Sequence, residues 1–218
     1  MNILTDNLPL SIMVSGKNLP IDSDFRASIA FETMMCSPDI TDVEKSVGML
    51  RLYLPRYANR FDTVTDGDCE EYKHLVAHID EVVEQLLDFY KGGMPDKVAR
   101  GGSGKRPERI YAYDFDAAYI FASFRQAYGI DLLDTPLHWW KFKALFYALP
   151  EETIIKKIMG YRAGKISSKM STEEKSHLRK MKSMYALPKY LSLAEKERED
   201  KLAEILMGDG DLSKLDIN

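Results

Sequence analysis

The strongest constraint on the fold is one long apolar stripe in the first half of the chain. Tyr72, Leu75, Val76, Ile79, Val82, Val83, Leu86, Leu87 and Tyr90 recur at steps of three and four. That spacing puts all of them on one side of a helix. Asp68, Glu70 and Glu71 load its first turn with negative charge, where the helix dipole favours it, and Gly92-Gly93 end it. The pattern predicts one helix over 69–90, with its apolar side buried against other elements.

The flanking sequence supplies those elements. Ile12 and Val14, a turn around Ser15-Gly16-Lys17, then Leu19 and Ile21, predict a small β-hairpin, with Gly16 providing the positive φ. Ser23 or Asp24 caps a helix over about 24–36, which Pro38 stops. Thr41 with Glu44 forms a capping box for a helix that carries Val47, Leu50 and Leu54 inward as far as Pro55.

Residues 92–110 read differently. They are rich in Gly, Lys and Arg with little to bury, and they predict a flexible basic linker, a mobile hinge between two halves. Beyond it, Asp114 or Asp116 caps a helix holding Phe115, Tyr119, Ala122, Phe124 and Tyr128, closed by Gly129. Thr135-Pro136 starts a helix through Trp139, Trp140 and Phe142 that ends before Pro150. Pro150-Glu151-Glu152 supplies the first turn of another, up to Gly160. A basic helix spans 172–186, limited by Pro188. The expected fold is mainly α, with a small N-terminal β-hairpin. A hairpin-plus-helices module covers 1–91, a linker 92–110, an aromatic-rich helical module 111–190 and a charged tail 191–218.

Charge is distributed unevenly. Residues 1–91 carry 8 basic and 16 acidic side chains, whereas 156–190 carry 10 basic and only Glu173 and Glu174. The imbalance points to electrostatic contact within the chain, between copies or with an acidic partner. The basic stretch is also the natural place for a nucleic-acid contact, but no nucleic-acid motif accompanies it. No apolar run approaches the roughly 20 residues of a membrane span, and Met1–Asp6 has no secretory-signal character. Cys36 and Cys69 are isolated, as in a protein of a reducing compartment such as the cytosol.

Catalytic signatures fail on inspection. Gly101-Gly102-Ser103-Gly104-Lys105 invites a phosphate-loop reading, but Ala99 stands where the first Gly is needed and Arg106 where the magnesium-binding Ser or Thr is needed. His74 and His78 lie one turn apart without further metal ligands or the Glu of HExxH. No GxSxG elbow, Cys–His nucleophile or dinucleotide glycine pattern is present. The expectation is a binder, not an enzyme, with no cofactor and no metal.

Trp139-Trp140 is the candidate contact. Adjacent helical residues point about 100° apart, so one Trp anchors the core while the other reaches a junction or a partner, unless both are core. Trp139, Trp140, Phe142, Tyr161 and Arg162 are the candidate partner-binding residues, being of the types that anchor interfaces.

Several strings are distinctive. They are Tyr113-Asp114-Phe115-Asp116-Ala117-Ala118-Tyr119-Ile120, then Phe124-Arg125-Gln126-Ala127-Tyr128-Gly129-Ile130-Asp131-Leu132, then Leu137-His138-Trp139-Trp140-Lys141-Phe142. Ile158-Met159-Gly160-Tyr161-Arg162 and Tyr185-Ala186-Leu187-Pro188 follow. In that order and spacing they resemble the bacteriophage family named for a gene product fifteen, encoded just before the tape-measure gene. Asp24-Phe25-Arg26 and the hairpin share the likeness, which runs to about residue 190.

The resemblance implies a siphovirus tail-assembly chaperone in the host cytoplasm. Such a protein would coat the apolar helices of the tape measure protein until tail tube protein assembles, and would be absent from the virion. A second copy or a shorter companion chaperone is a further expected partner. A structural tail component or connector is the alternative role.

Overall fold

A computed structural model describes residues 3–61, 70–92 and 109–188. Strands β1 (Ser11–Val14) and β2 (Lys17–Pro20) form an antiparallel hairpin in which Ile12 faces Leu19 and Val14 faces Lys17. Alternation buries Ile12, Val14 and Leu19 and leaves Met13 outside. Both turn residues have positive φ, Ser15 at 42° and Gly16 at 80°, the geometry that matches the twist of a two-residue hairpin.

Helix α1 (Phe25–Cys36) starts where the Asp24 carboxylate accepts from the Arg26 N–H at 2.9 Å. Helix α2 (Asp42–Tyr53) carries the expected capping box: Thr41 Oγ1 accepts from Glu44 N, and Thr41 N donates to Glu44 at 2.8 Å. A 3-10 turn over Pro55–Arg60 follows and buries Tyr57.

The predicted 69–90 helix is two helices, α3 (Glu70–Ala77) and α4 (Ile79–Lys91), broken at His78. The break lies where the hairpin tip meets the helices. His74 Nε2 contacts Val14 O at 2.9 Å, and His78 Nδ1 lies 3.1 Å from Ser15 Oγ. The apolar stripe survives the break, with Tyr72, Leu75, Val82 and Leu86 buried. Phe89, absent from the sequence-based stripe, is buried, while Tyr90 is half-buried and donates its hydroxyl to Glu32 at 2.5 Å.

Helix α5 (Ala117–Tyr128) closes on Gly129 at φ 67°. Asp116 precedes it, but its carboxylate turns away from the helix end to the Ala112 N–H and Arg162, so Asp116 is not the side-chain cap expected. Helix α6 (Trp139–Tyr147) begins later than Thr135-Pro136, because His138 supplies the cap. Helix α7 (Ile154–Ala163) likewise starts after Pro150-Glu151-Glu152, which form a turn that Thr153 closes by donating to Pro150 O at 2.6 Å. It runs through Gly160. Helix α8 (Thr172–Met184) starts with a second capping box, Ser171 with Glu174.

The chain is thus mainly helical with one small hairpin. Residues before and after the linker build one hydrophobic core, from Ile12 and Val14 through Tyr53 and Leu86 to Phe146 and Ile155. Phe142 is its hub, fully buried and stacked on Phe25 at 4.7 Å and on Phe124 at 5.1 Å between ring centres. Backbone bonds join the same segments: Phe25 N donates to Leu137 O at 2.9 Å and Trp139 N to Ser23 O at 2.8 Å. Most of the predicted linker, residues 93–108, lies outside the described residues, as do Cys69 and the charged tail. Among the described residues no helix is long and apolar enough to cross a membrane.

Candidate partner-binding cleft

The sequence singled out the Trp-Trp helix, and its geometry starts at His138. His138 Nδ1 accepts from Trp140 N at 3.1 Å, which leaves the ring N–H on Nε2, 3.0 Å from Pro9 O. That arrangement needs the neutral ring. Burial pushes the His138 pKa down, against an opposing push from the Pro9 carbonyl.

One turn of α6 then closes the end of α4. Trp140 Nε1 donates to Phe89 O and Trp139 Nε1 to Tyr90 O, each at 2.7 Å, and Lys143 Nζ donates to Lys91 O at 2.9 Å. The last carbonyls of a helix have no partner within it, and here three consecutive ones are met by side chains of another helix. Trp139 also stacks on Tyr90 and Trp140 on Phe89, at 5.6 and 6.0 Å between ring centres. Lys143 sits over the Trp139 ring at 5.4 Å, and desolvation lowers its pKa.

The five candidate partner-binding residues are therefore mostly internal. Trp139, Phe142 and Arg162 are buried, while Trp140 and Tyr161 are half-buried. Arg162 grips Asp116 through two hydrogen bonds, at 2.6 and 2.8 Å, and donates to Tyr185 O and Ile110 O. Tyr161 stacks on Tyr185 at 6.1 Å. The Trp pair and the Arg162 group lie on different helices and do not converge on one surface. Of the five, only Trp140 and Tyr161 offer a partner any surface.

An apolar cleft of about 230 Å³ opens at the surface. Helix α1 contributes Phe25, Arg26 and Ile29; α5 contributes Ala117, Ile120 and Phe121; Phe142 and Tyr113 lie among the lining residues, as do Leu132 and Leu133. Leu133 is 76% exposed. Arg26 holds this rim in place. Its guanidinium donates to Leu132 O at 2.7 Å and Leu133 O at 2.9 Å, pairs with Asp24 at 3.0 Å and lies 4.7 Å over the Phe25 ring. The charge is committed to protein acceptors, so the cleft presents hydrocarbon. An apolar cavity near 150 Å³ takes a benzene-sized group, so this one takes a large aliphatic or aromatic side chain.

Of the lining residues, Phe25, Arg26, Tyr113, Ala117, Ile120 and Leu132 fall in the distinctive strings, and Phe142 is a candidate contact. Ile29 is expected only as an apolar position of the first helix, and Phe121 and Leu133 carry no expectation.

Across residues 4–187 the chain matches the model of a family described as Bacteriophage Gp15 protein. It belongs to that family. No curated protein and no solved structure matches it. The Gp15 match takes in the hairpin, the Trp-Trp cap, the cleft and the Arg162–Asp116 pair, and it ends two residues past Tyr185. In this Gp15 chain His74 and His78 face each other at 4.6 Å with both rings engaged by the hairpin, and among the described residues no group of three metal-ligand types forms.

Proposed function

We propose that this phage protein is a tail-assembly chaperone that acts by binding rather than by catalysis in the host cytoplasm. Its client is the tape measure protein, whose apolar helices it shields until tail tube protein assembles around them, and it is absent from the mature virion. Membership of a bacteriophage family supports the viral part of this reading. The cleft supports the client part. An open hydrocarbon slot beside the exposed Leu133 suits the apolar face of a helix, the mode in which side chains spaced three and four apart insert into a groove.

Co-expression with tape-measure fragments tests it. A soluble complex is expected, with Leu133→Asp weakening it by at least about tenfold, the effect of 1.4 kcal/mol. Leu133 is exposed, so the substitution changes stability by less than about 0.5 kcal/mol. Fragments that stay insoluble, with no complex eluting, overturn the proposal. A stoichiometric copy number in purified virions replaces it with a structural tail component.

A further inference from the structure

Helix α8 buries none of its residues and packs on α7. Its inner side rests on Leu178 and Met181, which are half-buried. Arg179 and Lys180 point outward, and Lys165 and Lys169 are exposed in the loop before it. Among the described residues none of these four cations makes a salt bridge. On α4 the reverse holds. Asp80, Glu84 and Asp88 are exposed at four-residue steps, opposite the buried Val82, Leu86 and Phe89, a carboxylate stripe about 12 Å long. Asp88 has Lys91 beside it at 3.6 Å, and Asp80 and Glu84 have no ion pair among the described residues.

No ion pair joins the two faces within one copy among the described residues. Helix α8 packs on α7 and α7 on α5, whereas α4 packs on β1, α2 and α3 and takes Trp139 and Trp140 of α6 at its end. We infer that the basic face of α8 in one copy docks on the acidic α4 stripe of a second copy. The contact joins two different surfaces, so it is heterologous and builds head-to-tail rings or open chains. A nucleic acid fits the α8 face less well. Glu173 and Glu174 stand exposed at its start and would meet phosphate unfavourably, and Met184, 59% exposed at its end, is a residue type enriched in protein interfaces.

Sedimentation velocity on the full chain tests the inference without any client. Assemblies that grow with concentration are expected near 50 mM salt, and monomers near 500 mM, where the screening length is only a few ångströms. Arg179→Glu with Lys180→Glu should be monomeric at low salt, as should Asp80→Lys with Glu84→Lys. All four positions are exposed, so circular dichroism should be unchanged. An equimolar mixture of the two variants should assemble again, since each reversed face then meets its complement. A wild type that is monomeric at low salt overturns the inference. So does a mixture that fails to assemble, or retention on duplex DNA that Arg179→Glu with Lys180→Glu abolishes while self-association is absent.

Discussion

The indole N–H of Trp139 donates to the carbonyl of Tyr90 at 2.7 Å while the two rings stack 14° from parallel. One residue thereby meets a C-terminal carbonyl of α4 and joins that helix to α6. Trp139→Phe keeps most of the ring burial but leaves the Tyr90 carbonyl with only the longer bond from Lys143 Nζ, at 3.4 Å, a cost of about 0.5–1.5 kcal/mol. Trp139→Ala adds a cavity and should cost about 3–5 kcal/mol. Urea unfolding of both variants checks the order. Equal losses would mean that the hydrogen bond contributes nothing.

The Arg162–Asp116 pair allows a sharper test. Both side chains are buried, so removing one partner strands the other. Arg162→Met and Asp116→Asn should each cost about 3–5 kcal/mol. Arg162→Lys should recover little, because one ammonium cannot reproduce contacts to Asp116, Tyr185 O and Ile110 O. A double-mutant cycle should give strong coupling, and additive losses would refute the pairing.

Acid should loosen the hairpin clamp. Hydrogen bonds from Ser15 N, at 3.0 Å, and Ser15 Oγ, at 2.7 Å, hold the Glu81 carboxyl below its ordinary pKa of 4.5. A depressed carboxylate stabilises the fold above its unfolded pKa, and that contribution is lost as pH falls through the folded value. Glu81→Gln should therefore melt lower than wild type at neutral pH, with the gap closing below about pH 4. A gap independent of pH would show that the Glu81 charge is irrelevant.

Cutting the chain should not separate its halves. A protease site placed between residues 93 and 108 leaves intact the shared core and the backbone bonds between Ser23–Phe25 and Leu137–Trp139. The two fragments should co-elute in size exclusion and part only in denaturant. Separation under native conditions would mean that the halves are independent modules.

Local chemistry was readable in the sequence, and long-range geometry was not. The hairpin turn at Gly16, the Thr41–Glu44 box and the end of α5 at Gly129 each depend on residues within a few positions. The break at His78 depends on Val14 and Ser15, which no periodicity can reveal. The late start of α6 depends on His138 reaching both its own helix and Pro9. The Trp pair was recognised as an anchor, but its target is two carbonyls about fifty residues earlier, and carbonyls have no side-chain signature. The cleft was least legible, since its walls come from α1, α5, α6 and the turn at Leu132-Leu133.

Gly92 and Tyr111 both lie against α6: a methyl group at Gly92 would sit 3.7 Å from Trp140, and the Tyr111 ring lies 5.0 Å from that of Phe146. Positions 92 and 111 therefore lie along a single helix. Loop-closure entropy grows only with the logarithm of length, about 0.6 kcal/mol for each doubling. Inserts of quite different size could be grafted at this point with almost no thermodynamic penalty to the body that carries them, which makes it the natural place to append a tag or a second binding domain.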